Sequence, residues 1–190
     1  FAAVTQTVMT LCAERLPRTY KMSVFDGIQV LCPGRRGEIG TVEFNRRLQE
    51  ILNPYAATKT ECQVEGRTLR VGDKVMQIKN DYQLEWEIVS KYGITVDTGV
   101  GVFNGDMGKI LKINESISEL TVEYEDGKRV TYSFSALEEL ELAYAITIHK
   151  SQGSEYPAVI LPILSGPKML FNRNLLYTGV TRAKSCVTIL

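Results

Sequence analysis

The first 54 residues alternate between helix-like and strand-like spacing of apolar side chains. The first predicted element is an amphipathic helix over residues 2–16, ended by Pro17, whose apolar side chains recur every three or four positions: Val4, Val8, Leu11, Cys12 and Leu16. The apolar run 28–32 is typical of a buried strand. After a loop with three glycines, Thr41 is a candidate cap for a second helix, which Asn53 would end before Pro54. This order is typical of α/β proteins.

The middle of the chain has a different pattern, with short runs that alternate apolar and polar residues or are rich in β-branched ones. Six of them predict strands: 74–79, 86–90, 93–97, 109–113, 120–124 and 129–134. Turn residues separate the runs, and Asp126-Gly127 is a hairpin signal. Strands at roughly ten-residue spacing predict a small antiparallel β-barrel, which we expect to be inserted at residues 83–134 into a frame made of 1–82 and 135–190.

The α/β pattern returns after residue 134. Ser135 and Glu138 fit the capping box of a helix. The apolar spacing of residues 143–152 fits a strand and a helix equally well. Three further elements are predicted: a buried strand at 158–163, a helix at 172–184 and a strand at 186–190. The chain begins with Phe1 and stops inside the last predicted strand, so we expect the full-length protein to be longer.

The composition is close to that of an average soluble globular protein, with 44% hydrophobic and 23% charged residues. It excludes a disordered tail and a disulfide knot, and the longest apolar runs fall far short of the ~18–20 residues that span a bilayer. Four widely spaced cysteines and a single histidine exclude the usual zinc sites and predict reduced thiols in a cytoplasmic protein. No metal site is therefore expected.

The charge of the chain is balanced but unevenly distributed. Lys plus Arg and Asp plus Glu both number 22, which excludes a uniformly basic surface. Residues 115–142 hold eight acids and two bases, whereas residues 156–190 hold four bases and no acid. A local basic face in the C-terminal part is therefore compatible with the sequence, as are two ordinary solvated faces.

The densest polar cluster is 147–155, between two apolar stretches. It combines hydroxyl, imidazole, ammonium and amide groups with Gly153, and phosphate oxygens need donors of these kinds. The alternative is a satisfied polar turn, and His149 by itself does not identify a ligand site.

Two pairs of basic residues are further candidates. Arg182 and Lys184 close a predicted helix, where they either interact with the helix dipole or reach a phosphate group. Arg35 and Arg36 stand between glycines after a predicted buried strand, and ligands of open α/β sheets bind at the carboxyl ends of strands. This loop suits a polyphosphate, but it also suits plain exposure to solvent.

Two segments resemble motifs of superfamily 1 helicases. AITIHKSQGSE (145–155) is similar to motif V and LLYTGVTRAK (175–184) to motif VI, in the form of the RecD family of 5′-to-3′ DNA helicases, which includes the alpha subunit of exodeoxyribonuclease V. Three segments support the resemblance: VLCPGRRGEIGT with FNRRLQEILNP (30–54), similar to the motif IV region, and VGDKVMQIKNDY (71–82) and VFNGDMGKI (102–110), similar to the entry into an inserted barrel. The chain departs from the family pattern at three places: Gly34, Gly179 and a longer link at 83–101.

The resemblance implies an α/β fold: the second RecA-like lobe of a helicase motor, of the P-loop NTPase type, with a parallel sheet and an inserted small antiparallel β-barrel. In that family ATP and Mg²⁺ lie between two such lobes, and the first lobe carries the Walker A loop. This chain contains no G-x-x-x-x-G-K-[ST]. We therefore expect the N-terminal RecA-like lobe of the same protein to be a partner and to carry the Mg²⁺ ligands.

The resemblance also implies roles for individual residues. Arg182 would be the catalytic arginine finger at the γ-phosphate. Four residues would face ATP: Arg35, Arg36, Gly153 and Glu155. Four residues would hold the backbone of single-stranded DNA: Thr147, His149, Lys150 and Ser151. Of the two arginines in the motif IV region, we favour Arg36 as the one that meets the nucleotide.

Three functions stay open on the sequence alone. The chain is a fragment of a DNA helicase that couples ATP hydrolysis to translocation in recombination and repair, or a nucleic-acid-binding or subunit-docking module without ATP turnover, or the helicase half of a conjugative relaxase. A Walker A loop upstream of this chain would favour the helicase, and its absence would favour the module without ATP turnover. A histidine-rich metal site ahead of the motor would favour the relaxase. Subunits of a nuclease complex are candidate partners, and no membrane partner is expected.

Overall fold

A computed structural model describes residues 2–25, 27–163 and 173–190, and the chain divides into two units: Phe1–Pro54 with Tyr144–Leu190, and Tyr55–Ala143. The helices are α1 (Ala2–Thr10), α2 (Leu16–Tyr20), α3 (Thr41–Leu52) and α4 (Arg173–Val180). The strands are β1 (Ile28–Cys32), β2 (Glu61–Val64), β3 (Arg67–Arg70), β4 (Lys74–Gln77), β5 (Asp81–Val89), β6 (Thr95–Val102), β7 (Met107–Asn114), β8 (Glu119–Tyr124), β9 (Lys128–Ser133), β10 (Leu140–Leu142), β11 (Ala145–Thr147), β12 (Tyr156–Leu161) and β13 (Ala183–Ile189).

The first unit is built on a four-stranded sheet with the strand order β11-β1-β12-β13, in which every pairing is parallel. β1 is buried over its whole length and is apolar except for Gln29, as expected for a central parallel strand. Its core is formed by side chains from the sheet and from the helices packed on it, among them Val8, Val30, Phe44, Leu48, Ile146 and Ile160. The predicted α/β fold with a parallel sheet is confirmed.

The first helix does not end at Pro17. A π-helical turn at Leu11–Arg15 follows α1, and α2 continues to Tyr20. The N–H of Leu16 donates to the carbonyl of Leu11, five residues earlier, so the helix is widened just before Pro17. This π turn accommodates the proline, which has no N–H to donate within the helix. The helix stops at Lys21, which adopts a left-handed conformation with φ 56°.

Other boundaries also differ from the sequence prediction. Gly40, not Thr41, precedes the first residue of α3, and no side chain caps that helix. Ser135 and Glu138 lie in a 3₁₀ turn at Phe134–Glu139 rather than in an α-helix. The ambiguous stretch at 143–152 contains the short strand β11 followed by turns.

The last predicted helix ends four residues early. Helix α4 stops at Val180, because Ala183 already pairs with Tyr156 at the start of β13. The first predicted residue of that helix, Asn172, lies outside the described residues, as does Asp26.

The second unit holds a seven-stranded antiparallel sheet in the order β10-β4-β7-β8-β9-β5-β6 and the separate hairpin β2-β3. All six predicted strands are present with shifted ends, and three short strands were not predicted: β2, β3 and β10. The unit extends beyond the predicted insertion at 83–134, because β4 and β10 flank that segment and pair in the same sheet. Its core includes Leu69, Val75, Leu120, Val130, Tyr132 and Leu140.

Four cysteines are free thiols: Cys12, Cys32, Cys62 and Cys186. Burial raises the pKa of the Cys32 thiol far above its ordinary value, so this side chain at the end of β1 stays protonated. In the described ranges no helix combines the length and the hydropathy required to cross a bilayer.

Candidate nucleotide and nucleic-acid site

The parallel sheet defines two opposite edges on which candidate residues can lie. Cys32 at the end of β1 is in register with Thr147 at the end of β11, so the segments that follow both strands leave from the carboxyl edge. Tyr156 at the start of β12 is in register with Ala183 at the start of β13, so the residues that precede both strands lie at the amino edge. A five-residue strand separates the two edges by ~17 Å.

The segment 148–155, defined here as the crossing segment, joins these two edges. It leaves β11 at the carboxyl edge and enters β12 at the amino edge. Near its end Gly153 adopts a φ of 85°, while a side chain there would meet no atom within 4 Å. Glycine is therefore favoured at position 153 by backbone conformation, not by crowding.

At the carboxyl edge the crossing segment presents its basic residues. His149 is exposed and Lys150 is half-buried. The Oγ1 atom of Thr147 accepts a hydrogen bond from the backbone N–H of Lys150 at 3.3 Å, so Thr147 shapes the turn from which these residues project. The imidazole and the ammonium group can donate to an anionic backbone at this edge.

Ser151 does not fit the role of an exposed DNA ligand that the sequence resemblance implied. Its exposed fraction is 0%, and its hydroxyl donates to the carbonyl of Ile148 at 2.7 Å. The N–H of Ser151 points to the carbonyls of Thr147 and Ile148, both at 3.2 Å. The burial of Ser151 does not support the predicted contact with DNA. A hydroxyl suits a turn interior as well as a phosphate, and the sequence does not tell the two apart.

At the amino edge Arg182 contacts the end of the crossing segment. Its Nη1 donates to the carbonyl of Ser154 at 3.1 Å and its Nη2 to Oγ1 of Thr181 at 3.4 Å. The Nε atom is buried and has no hydrogen-bond partner among the described residues. Lys184 forms an exposed ion pair with Glu155 at 3.6 Å. Arg182, Glu155 and Gly153 therefore lie at the same edge, as a shared nucleotide site requires.

Thr181 holds the backbone on which Arg182 sits, and sequence reasoning missed this role. Its Oγ1 bonds to the carbonyls of Tyr177 at 2.9 Å and Thr178 at 3.0 Å. The hydroxyl thus satisfies the last turn of α4, while the Arg182 guanidinium donates to the carbonyl of Ser154 and to Thr181 itself.

Arg35 and Arg36 lie at the other edge of the sheet. Both are exposed in the loop 33–40, which follows β1 and is therefore at the carboxyl edge with His149. The loop folds back onto the start of α3, where the N–H of Val42 donates to the carbonyl of Arg35 at 3.1 Å. Both arginines follow the carboxyl end of β1, whereas Arg182 precedes the amino end of β13, and their predicted contact with the nucleotide stays a prediction. Sequence order alone could not assign each segment to an edge.

The described residues contain no group of three or more His, Cys, Asp or Glu side chains arranged to hold a metal ion.

Two family models match the chain. The model for the SH3 domain of ATP-dependent RecD-like DNA helicases matches residues 44–124, and the model for the C-terminal domain of UvrD-like helicases matches residues 142–190. The ATP-dependent RecD2 DNA helicase of Deinococcus radiodurans is 35% identical over 83% of this chain and 19% of its own length. The RecBCD enzyme subunit RecD of Mycolicibacterium smegmatis is 29% identical over 88% of this chain and 26% of its own length.

Solved helicase structures share the fold. Pif1 helicase in a structure of two coordinating copies at forked double-stranded DNA has a TM-score of 0.54 at 20% identity, over 96% of this chain and 41% of that one. Pif1 helicase from Bacteroides in complex with ADP-AlF₃ and single-stranded DNA also has a TM-score of 0.54, at 17% identity, over 97% of this chain and 45% of that one.

The predicted resemblance to RecD-type superfamily 1 helicases is confirmed, and the chain belongs to that family. The chain spans about a fifth to a quarter of the length of the curated relatives that it matches.

Proposed function

We propose that this chain is the second motor lobe of an ATP-dependent 5′-to-3′ DNA helicase of the RecD type, acting in the cytoplasm in recombination or repair. Hydrolysis of ATP between this lobe and an N-terminal RecA-like lobe of the same protein would drive movement along single-stranded DNA. The observation that carries the proposal is the crossing segment: one stretch of eight residues presents His149 at one edge of the sheet and meets Arg182 at the other.

At the amino edge the residues fit a nucleotide. Among the described residues the Nε donor of Arg182 is buried without a partner, and Gly153 and Glu155 flank Ser154, whose carbonyl accepts from the guanidinium. We assign Arg182 the catalytic role of stabilising the negative charge that develops as the γ-phosphate is transferred. When bound, ATP with Mg²⁺ supplies the phosphoryl group, and the Mg²⁺ ligands are proposed to lie on the N-terminal lobe.

At the carboxyl edge the exposed donors fit the phosphodiester backbone of single-stranded DNA. His149 and Lys150 would contact phosphates, with Thr147 shaping the turn beneath them. Arg35 and Arg36 share this edge, and we now assign them to the DNA side. Such contacts are independent of base sequence and weaken steeply with salt.

The second unit would act as the small barrel that lies along the DNA. Support comes from its seven-stranded antiparallel sheet and from the match of residues 44–124 to a RecD-like SH3 domain. Subunits of a nuclease complex are proposed as further partners, because relatives of this chain are RecD subunits of the RecBCD enzyme.

The test of the proposal is Arg182→Ala in the full-length protein. We expect DNA-stimulated ATP hydrolysis to fall by about 10³-fold or more, because an arginine at a transferred phosphate is worth ~10³–10⁵ in rate. The affinity for a labelled oligonucleotide should stay within about twofold, since Arg182 lies at the edge away from the DNA residues. The measurements are phosphate release and fluorescence anisotropy at fixed salt.

Arg173→Ala is the matched control, because Arg173 is an exposed arginine at the start of α4, the helix that precedes Arg182. It should leave both activities unchanged. If Arg182→Ala retains ATP hydrolysis within about threefold, equivalent to under ~0.7 kcal/mol, the arginine is structural and the nucleotide assignment fails.

A further inference from the structure

The buried serine of the crossing segment has a defined place in a chain of hydrogen bonds between the two edges. Arg182 donates to the carbonyl of Ser154, and the N–H of Ser154 donates to the carbonyl of Ser151 at 3.0 Å. The hydroxyl of Ser151 donates to the carbonyl of Ile148. The N–H of Ile148 donates at 2.9 Å to the carbonyl of Cys32, the last residue of β1.

Within the crossing segment, this series of hydrogen bonds is formed by backbone groups except at Ser151, whose hydroxyl donates to Ile148. At the amino edge the first donor of the series is the guanidinium of Arg182. His149 and Lys150 stand on the turn that this hydroxyl closes, because the bond from Ser151 to Ile148 spans both of them. These hydrogen bonds connect Ser154 to the turn that carries His149 and Lys150.

We propose that Ser151 is a positioning residue that couples the nucleotide edge to the DNA edge, and not a DNA ligand. The inference rests on the proposed function and deepens it. Without the hydroxyl, the Ile148 carbonyl still accepts the N–H of Ser151, so the turn survives but loses a constraint. His149 then still binds DNA, but its position no longer follows that of Arg182.

The experiment compares Ser151→Ala, His149→Ala and the wild type in the full-length protein. Without nucleotide, Ser151→Ala should bind single-stranded DNA within about twofold of the wild type, whereas His149→Ala should bind about tenfold more weakly, the scale of one lost charge-assisted hydrogen bond. In DNA-stimulated ATP hydrolysis Ser151→Ala should lose about tenfold in kcat with KM for ATP within about twofold. Because a partly unfolded preparation also lowers kcat at unchanged KM, each rate is calculated per DNA-binding site, counted by titration.

A direct measure of coupling is the change in DNA affinity when a non-hydrolysable ATP analogue is added. In the wild type this change is the coupling between the two sites, and in Ser151→Ala it should shrink towards about onefold. Ser185→Ala is the matched control, a serine on β13 with an exposed side chain, and should behave as the wild type. Thermal unfolding checks that each variant is folded.

Each outcome bears on the inference. If folded Ser151→Ala loses as much DNA affinity as His149→Ala, Ser151 is a DNA ligand and the inference is overturned. The inference is also overturned if Ser151→Ala keeps both the kcat and the coupling of the wild type. If the alanine variant does not fold, Ser151→Cys, which keeps a weaker donor, must show the same split in smaller measure, and wild-type behaviour in that variant equally overturns it. A wild-type protein whose ATP hydrolysis ignores DNA contradicts the proposed function instead.

Discussion

At the scale of single residues, the loop after β1 depends on a glycine that no other residue can replace without movement. Gly40 has an ordinary φ of −85°, but a Cβ there would lie 2.5 Å from the carbonyl oxygen of Arg35 and 2.6 Å from that of Arg36. Both obstacles are backbone atoms, so the loop itself would have to shift. Steric contact, not conformation, therefore requires glycine at this position.

We predict that Gly40→Ala destabilises the chain by about 1–3 kcal/mol, the usual range for a group forced into a filled space. The matched control is Gly179→Ala, whose Cβ would approach Cδ2 of Leu161 at 2.8 Å. That obstacle is the end of a flexible side chain, and alanine also gains up to ~1 kcal/mol of helix propensity, so the net effect should be small. Urea unfolding measures both, and equal destabilisation would contradict the steric argument.

The sequence identified most residues of the candidate site but not their arrangement. The motif strings located Arg182, Glu155 and His149 correctly as parts of two segments, and these do meet through Ser154. The burial of Ser151 was missed because serine occurs both inside turns and on surfaces, so the residue type does not predict its exposure. The edge on which Arg36 lies depends on strand register, a long-range property that local residue patterns do not contain.

At the scale of elements, helix α3 fixes the edge strand of the parallel sheet through one amide side chain. Asn45 is 9% exposed, and its Nδ2 donates to the carbonyl of Ala145 while its Oδ1 accepts the N–H of the same residue, both at 2.8 Å. The side chain thus pairs with β11 as a further strand would, which satisfies an otherwise open edge. β11 leads directly into the crossing segment, so this bridge also positions the site.

We predict that Asn45→Ala destabilises the first unit by about 2–4 kcal/mol, because it leaves a buried N–H and a buried carbonyl without partners. Asn45→Asp is the matched control: it keeps the acceptor for the Ala145 N–H but sets a carboxylate oxygen against the carbonyl. The aspartate variant should recover stability as the pH is lowered through its pKa, since the protonated acid can donate, and the alanine variant should not. Identical pH dependence of the two unfolding curves would contradict the role assigned to the bridge.

Element types were largely predictable from the sequence, and element ends were not. The 3.6-residue period found α3, and short alternating or β-branched runs found the six middle strands. β1 and β12 showed as mostly apolar runs because most of their residues are buried. The helix through Pro17 was missed because the π-turn that accommodates the proline is a backbone adjustment without a residue signature. Helix α4 ends at Val180 because pairing of Ala183 with Tyr156 prevails over local helix propensity.

At the scale of the whole chain, the two units have separate cores and separate sheets, and the candidate chemistry lies in the first one. A buried network in the second unit joins Tyr132 to Gln77 at 2.8 Å and Gln77 to Glu139 at 2.9 Å, with Tyr124 bonded to Tyr132. Burial raises the pKa of both tyrosines above the ordinary value, so their hydroxyls stay protonated and serve as hydrogen-bonding groups. The network specifies packing in the second unit and carries none of the groups assigned to ATP.

The chain by itself should therefore fold but not hydrolyse ATP. The sequence lacks a G-x-x-x-x-G-K-[ST] loop, and the described residues lack a cluster of metal ligands, so the β- and γ-phosphates and Mg²⁺ have no cradle here. In the role proposed for it, Arg182 would stabilise the transition state only when another lobe positions the phosphates. Phosphate release with saturating single-stranded DNA should equal the buffer rate, while circular dichroism reports a folded chain and anisotropy reports weak, salt-sensitive DNA binding. Turnover by the isolated chain that disappears in Arg182→Ala would mean that a complete nucleotide site resides in these 190 residues, and the division of the motor between two lobes would be wrong.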